Sequence, residues 1–136
     1  MQEIRDVIRI LSKHQFRSVS NVVGEFVERQ IAQTLGGTQA NHCQKGFDVF
    51  SKDLGNIEVK SRNFHAKSKL CQLPAHKIHS LDHFILALVK DGELDKVFLF
   101  DKQTLLSLQS SSGTVYIDQR HYPLAQNITD MFRPQV

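Results

Sequence analysis

The sequence predicts an α/β sandwich with a mixed central sheet. Three observations carry that reading. Two stretches near the start, residues 2 to about 12 and 20 to about 35, repeat apolar residues at helical spacing. The segment IEVKS, from Ile57, alternates with period two, as a strand with one packed face does. The run HFILALV, from His83, is apolar throughout, as expected of a strand covered on both faces, and Asp91-Gly92 turns it back into KVFLF.

Taken in order, Ile4, Val7, Ile8 and Leu11 give the first helix an apolar stripe. The polar stretch QFRSVS interrupts it, and Ser20 is placed to cap the second helix. Gly36-Gly37 ends that helix. A strand is expected from about Gln39 to Phe50, then a turn in SKDLGN, then the IEVKS strand. Residues 62 to 71 read as basic and irregular. Pro74 starts a short helix to about Ser80. The two apolar strands follow, then a helix near Lys102, a short strand TVYI and a C-terminal tail. The predicted order is α-α-β-β-α-β-β-α-β, one domain over 1–136 with its core at about 20–101.

Composition narrows the function classes. The chain has 136 residues, a formal charge of +3 and seven histidines. Its pI near 9.0 is compatible with nucleic acid without requiring it. No apolar run reaches membrane-spanning length, and acids among the first residues do not suit a signal peptide. Cys43 and Cys71 are the only cysteines, which predicts reduced thiols and a cytoplasmic protein. Neither belongs to a paired cysteine motif, so a structural zinc site is not expected. No glycine-rich phosphate loop and no Ser-His-Asp grouping stands out.

The hairpin GFDVFSKDLGNIEVKSR, residues 46 to 62, raises the chemical question. It carries Asp48, Glu58 and Lys60 into a sheet, and a charge is buried only when paired, hydrogen-bonded or metal-bound. Glu58 and Lys60 share one strand face. A three-residue loop Asp53-Leu54-Gly55, with Gly55 left-handed, sets Phe50 opposite Glu58 and Asp48 opposite Lys60, so that all three charges face one way. Two carboxylates can hold a hard divalent cation, which polarises a phosphoryl oxygen and acidifies a bound water. A lysine beside them can assist that water or stabilise transition-state charge. The plainer reading is a salt-bridged hairpin on a wet face.

The second helix bears on that choice. At about 100° per residue its apolar stripe comprises Val23, Phe26, Val27, Ile31 and Thr34. Glu25 lies nearly opposite and should be solvated. Glu28 lies on the flank, in line with Gly24, Ile31 and Leu35, where an acid can reach the edge of a sheet. Gly24 would admit close approach of a backbone or phosphate.

These residues resemble the PD-(D/E)xK nuclease superfamily, the restriction-endonuclease-like proteins. The resemblance rests on the GxxxE helix (Gly24, Glu28), the Asp48 strand and Glu58-Val59-Lys60, and on the helix–hairpin–helix–strand order over about 20–101. It implies a restriction-endonuclease-like core with a mixed sheet flanked by helices, and a Mg²⁺-dependent endodeoxyribonuclease in which Mn²⁺ can substitute. It further implies Asp48, Glu58 and the Val59 carbonyl as metal ligands, Lys60 as the catalytic lysine, and Glu28 acting from the helix, directly or through water. Gly46-Phe47 stands before Asp48, where many members have a proline.

From Val59 to Leu81 there is no acidic residue, whereas Lys60, Arg62, Lys67, Lys69 and Lys77 occur with His65, His76 and His79. Arg62, Lys67 and Lys69 are the candidates to hold a DNA backbone. His76, His79 and His83 lack the spacing of a metal-binding helix and read as solvated or core residues. The size is similar to that of Holliday-junction resolvases, although the short helix after Pro74 suits them less. The alternatives are that resolvase subclass, or a non-catalytic nucleic-acid-binding module of the same fold. An intact acid–acid–lysine set argues against the module, because a pure binder has no need of it. Cutting both strands needs two centres, so a homodimer is expected, joined through the first helix or through TVYI.

Overall fold

The computed structural model describes residues 2–13, 19–40, 48–63 and 71–133. Helices α1 (Gln2–Lys13) and α2 (Val19–Thr34) come first. Short strands β1 (Thr38–Gln39) and β2 (Val49–Ser51) lead to the long β3 (Gly55–Asn63). Then follow β4 (Cys71–Leu73), α3 (Ala75–Ser80), β5 (His83–Lys90) and β6 (Glu93–Asp101). Helix α4 (Lys102–Ser107), β7 (Val115–Ile117) and β8 (Gln126–Asn127) complete the set, with 3-10 turns at Gln119–Leu124 and Thr129–Phe132.

The main sheet runs β1-β2-β3-β5-β6-β8. Among the described residues only β3 and β5 pair in parallel; the other neighbours are antiparallel, so the sheet is mixed as expected. Its two faces are packed by different elements. Ile57, Val59, Ile85, Ala87, Val97 and Leu99 meet Ile8 of α1 and Phe26, Val27 and Ile31 of α2. Phe84, Leu86, Phe98 and Phe100 meet Ile78 of α3, Leu105 of α4 and the β4–β7 pair. Odd and even positions thus divide between two cores, the period-two signature of strands read from both sides. Among the described residues, no helix is long and apolar enough to cross a membrane.

Most boundaries match the sequence reading. Gly36, at φ +66°, ends α2, with Gly37 N–H donating to Ala32 O and Gly36 N–H to Gln33 O. That is the Schellman pattern a glycine pair permits. Asp91 and Gly92 both take positive φ, as a two-residue hairpin of the primed type needs. Pro74 caps α3.

Other expectations are corrected. Of the strand expected from Gln39 to Phe50, the described residues form two short pieces, β1 and β2, and residues 41–47 lie outside them. Helix α2 starts at Val19, so Ser20 lies inside it. The stretch expected to be irregular, residues 62–71, is strand at both described ends: Arg62 and Asn63 belong to β3 and Cys71 opens β4, while residues 64–70 lie outside the described residues. Strand β4 pairs with β7 in a separate two-stranded sheet, where Cys71 and Leu73 are buried. Three residues are too few for periodicity to register. The expected apolar dimer face of α1 is partly spent within the chain. Ile8 is buried in the core and Ile4 packs on it, while Val7 and Ile10 are exposed. The side chain of Leu11 lies outside the described residues. In TVYI, Val115 and Ile117 are buried and Tyr116 alone faces out.

Candidate active site

The β2–β3 hairpin has a different register from the expected one. Val49 pairs with Ile57, Phe50 with Asn56 and Ser51 with Gly55. The loop is Lys52-Asp53-Leu54, and Phe50 does not oppose Glu58, nor Asp48 Lys60. Gly55 is left-handed, at φ +75°, but it closes the loop instead of filling it. Local bonds fix this choice. Buried Ser51 accepts a hydrogen bond from Leu54 N–H on its Oγ, 3.3 Å. The Asp82 carboxylate accepts from Asn56 N–H, 2.9 Å, and a side chain on Gly55 would run into it. A slip of two residues preserves strand faces, so Glu58 and Lys60 keep the orientation predicted for them.

Asp48 is placed by a bulge. Its N–H donates to Ile57 O, 2.9 Å, while Val49 pairs with the same Ile57. Two successive residues therefore address one, which breaks the ladder and re-aims a side chain. The Asp48 carboxylate, through Oδ2, accepts from Val59 N–H at 2.8 Å. A backbone N–H lies in the sheet plane, so Asp48 sits at the strand edge, within electrostatic reach of groups from both faces.

Glu58 is only 3% exposed. Its Oε1 accepts from Lys77 Nζ at 2.8 Å, and Lys60 Nζ stands 3.9 Å from the same oxygen. From the α2 side, Glu28 accepts from Gln39 Nε2 at 3.2 Å. Burial pushes the Asp48 carboxyl up to about 6; the Val59 N–H opposes this, the charges of Glu58 and Glu28 add to it, and Lys77 offsets part. Burial works to depress Lys77, but its hydrogen bond to Glu58 and the charges of Glu58 and Asp48 outweigh that and raise it. Glu25, by contrast, is exposed and pairs loosely with Arg29 at 3.9 Å.

The structure thus brings Asp48, Val59, Glu58 and Lys60 together at the fork of β2 and β3, with Glu28 electrostatically coupled through Asp48. Arg62 lies two residues beyond Lys60 on β3, its Nη1 donating to Ser61 O at 2.8 Å. Lys67 and Lys69 lie outside the described residues. A Cβ at Gly24 would meet nothing within 4 Å, so its lack of a side chain leaves open space. His83 is bonded to Leu54 O through Nδ1, 2.7 Å, a structural contact of the hairpin loop.

Lys77, in sequence one charge of a basic interval, makes the shorter of the two lysine contacts to Glu58. The sequence held only a weak signal: with no acid between Val59 and Leu81, a lysine in that interval has no local partner and must find one elsewhere in the fold.

Among the described residues, no three His, Cys, Asp or Glu side chains gather to hold a metal. The oxygen donors at hand are the carboxylates of Asp48 and Glu58, the first held by the Val59 N–H. Burial first, and the charges of Glu58 and Glu28 after it, drive the Asp48 carboxyl upward, and a hard divalent cation relieves both. The residues fit such an ion.

No protein-family model matches the chain, and no curated protein matches it. Among solved structures it is similar to Hjc, a Holliday junction resolvase from the archaeal hyperthermophile Archaeoglobus fulgidus, solved at 1.6 Å. The TM-score is 0.55 at 21% identity, over 81% of this chain and 100% of that one. With the mixed sheet, its flanking helices and the placement of β3 beside β5, this likeness gives the chain a restriction-endonuclease-like fold.

Proposed function

We propose that the chain is a divalent-cation-dependent endodeoxyribonuclease that hydrolyses phosphodiester bonds. One observation carries the reading: a bulge and a strand converge Asp48 on Val59 and set buried Glu58 beside two lysines, on the fold of a DNA-processing enzyme. A purely structural hairpin has no use for a buried carboxylate cluster, because an apolar pair of similar volume costs less.

Asp48, Glu58 and the Val59 carbonyl would hold Mg²⁺, or Mn²⁺ in its place. When bound, the ion supplies Lewis-acid polarisation of the phosphoryl group and a more acidic water. The protein's own groups do the rest. The Val59 N–H fixes the Asp48 carboxylate, so its orientation costs nothing at the moment of reaction. Lys60, partly exposed, orients the attacking water or meets the charge that develops on the phosphate. Glu28 adds negative charge behind Asp48 and strengthens its hold on a cation. Arg62, with Lys67 and Lys69, positions the backbone.

The single domain works as a homodimer on DNA, with exposed Val7 and Ile10 of α1 supplying the contact. The likeness to a Holliday junction resolvase favours branched DNA over plain duplex. The experiment is cleavage of plasmid, four-way-junction, duplex and single-stranded DNA with Mg²⁺, with EDTA as the control. Cleavage of none of them, by folded protein with Mg²⁺, would leave the binding module as the better reading.

A further inference from the structure

Lys77 has no assigned role in this reaction, and it holds the central position. Its amine, not that of Lys60, makes the hydrogen bond to Glu58: 2.8 Å against 3.9 Å, both to Oε1. Taking Asp48, Glu58 and the Glu28 that bears on Asp48 as carboxylates, and Lys60 and Lys77 as ammonium groups, the cluster carries one net negative charge without any ion. A divalent cation would add two positive charges beside an amine already bonded to a ligand oxygen. Like charges at that separation oppose each other strongly in a partly buried site. A phosphodiester brings the negative charge that offsets the excess. The Lys77 side chain is 35% exposed, and α3 is a six-residue helix, so the amine can swing from Glu58 toward solvent, where a phosphate would lie.

We propose that Lys77 occupies the cation seat in the substrate-free protein and hands its charge to the DNA backbone when a cation enters, so that metal loading and DNA binding reinforce each other. The proposal builds on the nuclease reading above. Linkage makes the coupling reciprocal: DNA raises cation affinity by the factor by which the cation raises DNA affinity, typically ~5–150-fold for such couplings.

Mn²⁺ titrated into wild type, Lys77→Gln and Lys77→Arg tests it, without DNA and with phosphorothioate four-way-junction DNA that resists hydrolysis. Without DNA, Lys77→Gln should bind Mn²⁺ about tenfold tighter than wild type, within that coupling range, and Lys77→Arg should match wild type. With DNA the gap should close or reverse. Equal or weaker Mn²⁺ binding by folded Lys77→Gln overturns the proposal. A second measurement needs no variant. The ammonium resonance of Lys77 held by Glu58 should be lost on saturation with Mg²⁺ and DNA, and its persistence unchanged also overturns the proposal. Cleavage by wild type is scored separately. A protein that cuts DNA yet shows no Lys77 effect sinks this inference alone, and one that binds Mn²⁺ as described but cuts nothing sinks the nuclease reading alone.

Discussion

Strands β5 and β3 lie side by side in one sheet and solve burial in opposite ways. From Phe84 to Val89, every β5 residue is buried and apolar. On β3, Glu58 pairs in register with Phe84, and Lys60 with Leu86, so charges stand on the face where their neighbours are core. The apolar strand needs only partners of the right shape. The charged one needs Lys77, Lys60, a bulge at Asp48 and the Val59 N–H, and it still leaves a carboxyl displaced to about 6. A fold keeps such a cluster where the energy it costs is returned in function.

The largest expected effect separates these two strands. Phe84→Ala should lower stability by about 3–5 kcal/mol, as core truncations of aromatics do, measured by urea denaturation. Lys60→Ala and Glu58→Gln should each slow Mg²⁺-dependent cleavage by about 10²–10³-fold and leave a folded protein. A Lys60→Ala variant that cuts at the wild-type rate would break the comparison, because the charged face would then be structure like the other.

Asp48 sharpens it through pH. Its folded value, about 6, lies above the ordinary 3.8. The folded state therefore binds this proton more tightly than the unfolded one. The associated stability is fully present below about pH 4 and is lost as pH rises through 6. Asp48→Asn does not titrate and can keep an acceptor for the Val59 N–H. It should be more stable than wild type by about 1–2 kcal/mol at pH 7–8, after allowing for the partial exposure of the group, and the gap should vanish near pH 4. Thermal unfolding across pH measures this. Added Mg²⁺ should stabilise wild type more than Asp48→Asn and narrow the difference at pH 7–8.

How much of this contrast was legible in the sequence follows from length and locality. The apolar β5, the Asp91-Gly92 turn and the Gly36-Gly37 stop are local signals, and each appears where it was read. Period two also fixes in advance the shared face of Glu58 and Lys60, whereas the place of Asp48, at a bulge on the strand edge, does not follow from it. The register was not legible: Gly55 announced a left-handed loop residue, but whether it fills or closes the loop depends on Asp82, a residue far along the chain. Lys77 was hidden for the same reason, since its partner is nineteen positions away across a parallel crossover. Strands of two or three residues, β1, β4 and β8, hold too few side chains for any period to show.

A smaller effect is expected on α2. Glu28→Gln removes charge next to Asp48 and should cost about 10–100-fold in cation affinity or cleavage, as losses of supporting groups around metal sites do. Glu25→Gln, three residues earlier and paired only loosely with Arg29, should change neither. Equal effects at both positions would mean that α2 contributes packing alone.

The smallest expected effect lies at the far end of β3. Arg62 shares the face of Glu58 and Lys60, and its guanidinium returns to its own strand through Ser61 O. Together with Lys60 it bears electrostatically on Cys71, so its charge is felt at the edge of the second core. A phosphate leaving the β2–β3 fork in that direction would meet Arg62 next. Contacts of this kind position DNA without reading its sequence, and each releases counterions from the duplex. Arg62→Ala should therefore weaken binding alike across sequences and reduce the slope of log affinity against log salt by about one unit, while catalysis at saturating DNA stays near wild type. The triple change with Lys67→Ala and Lys69→Ala should remove about three units by the same rule. Fluorescence anisotropy over a series of salt concentrations reads both. A slope that does not move in the triple variant would show that the backbone leaves the fork by another path, and would confine the functional part of the charged strand to Glu58 and Lys60.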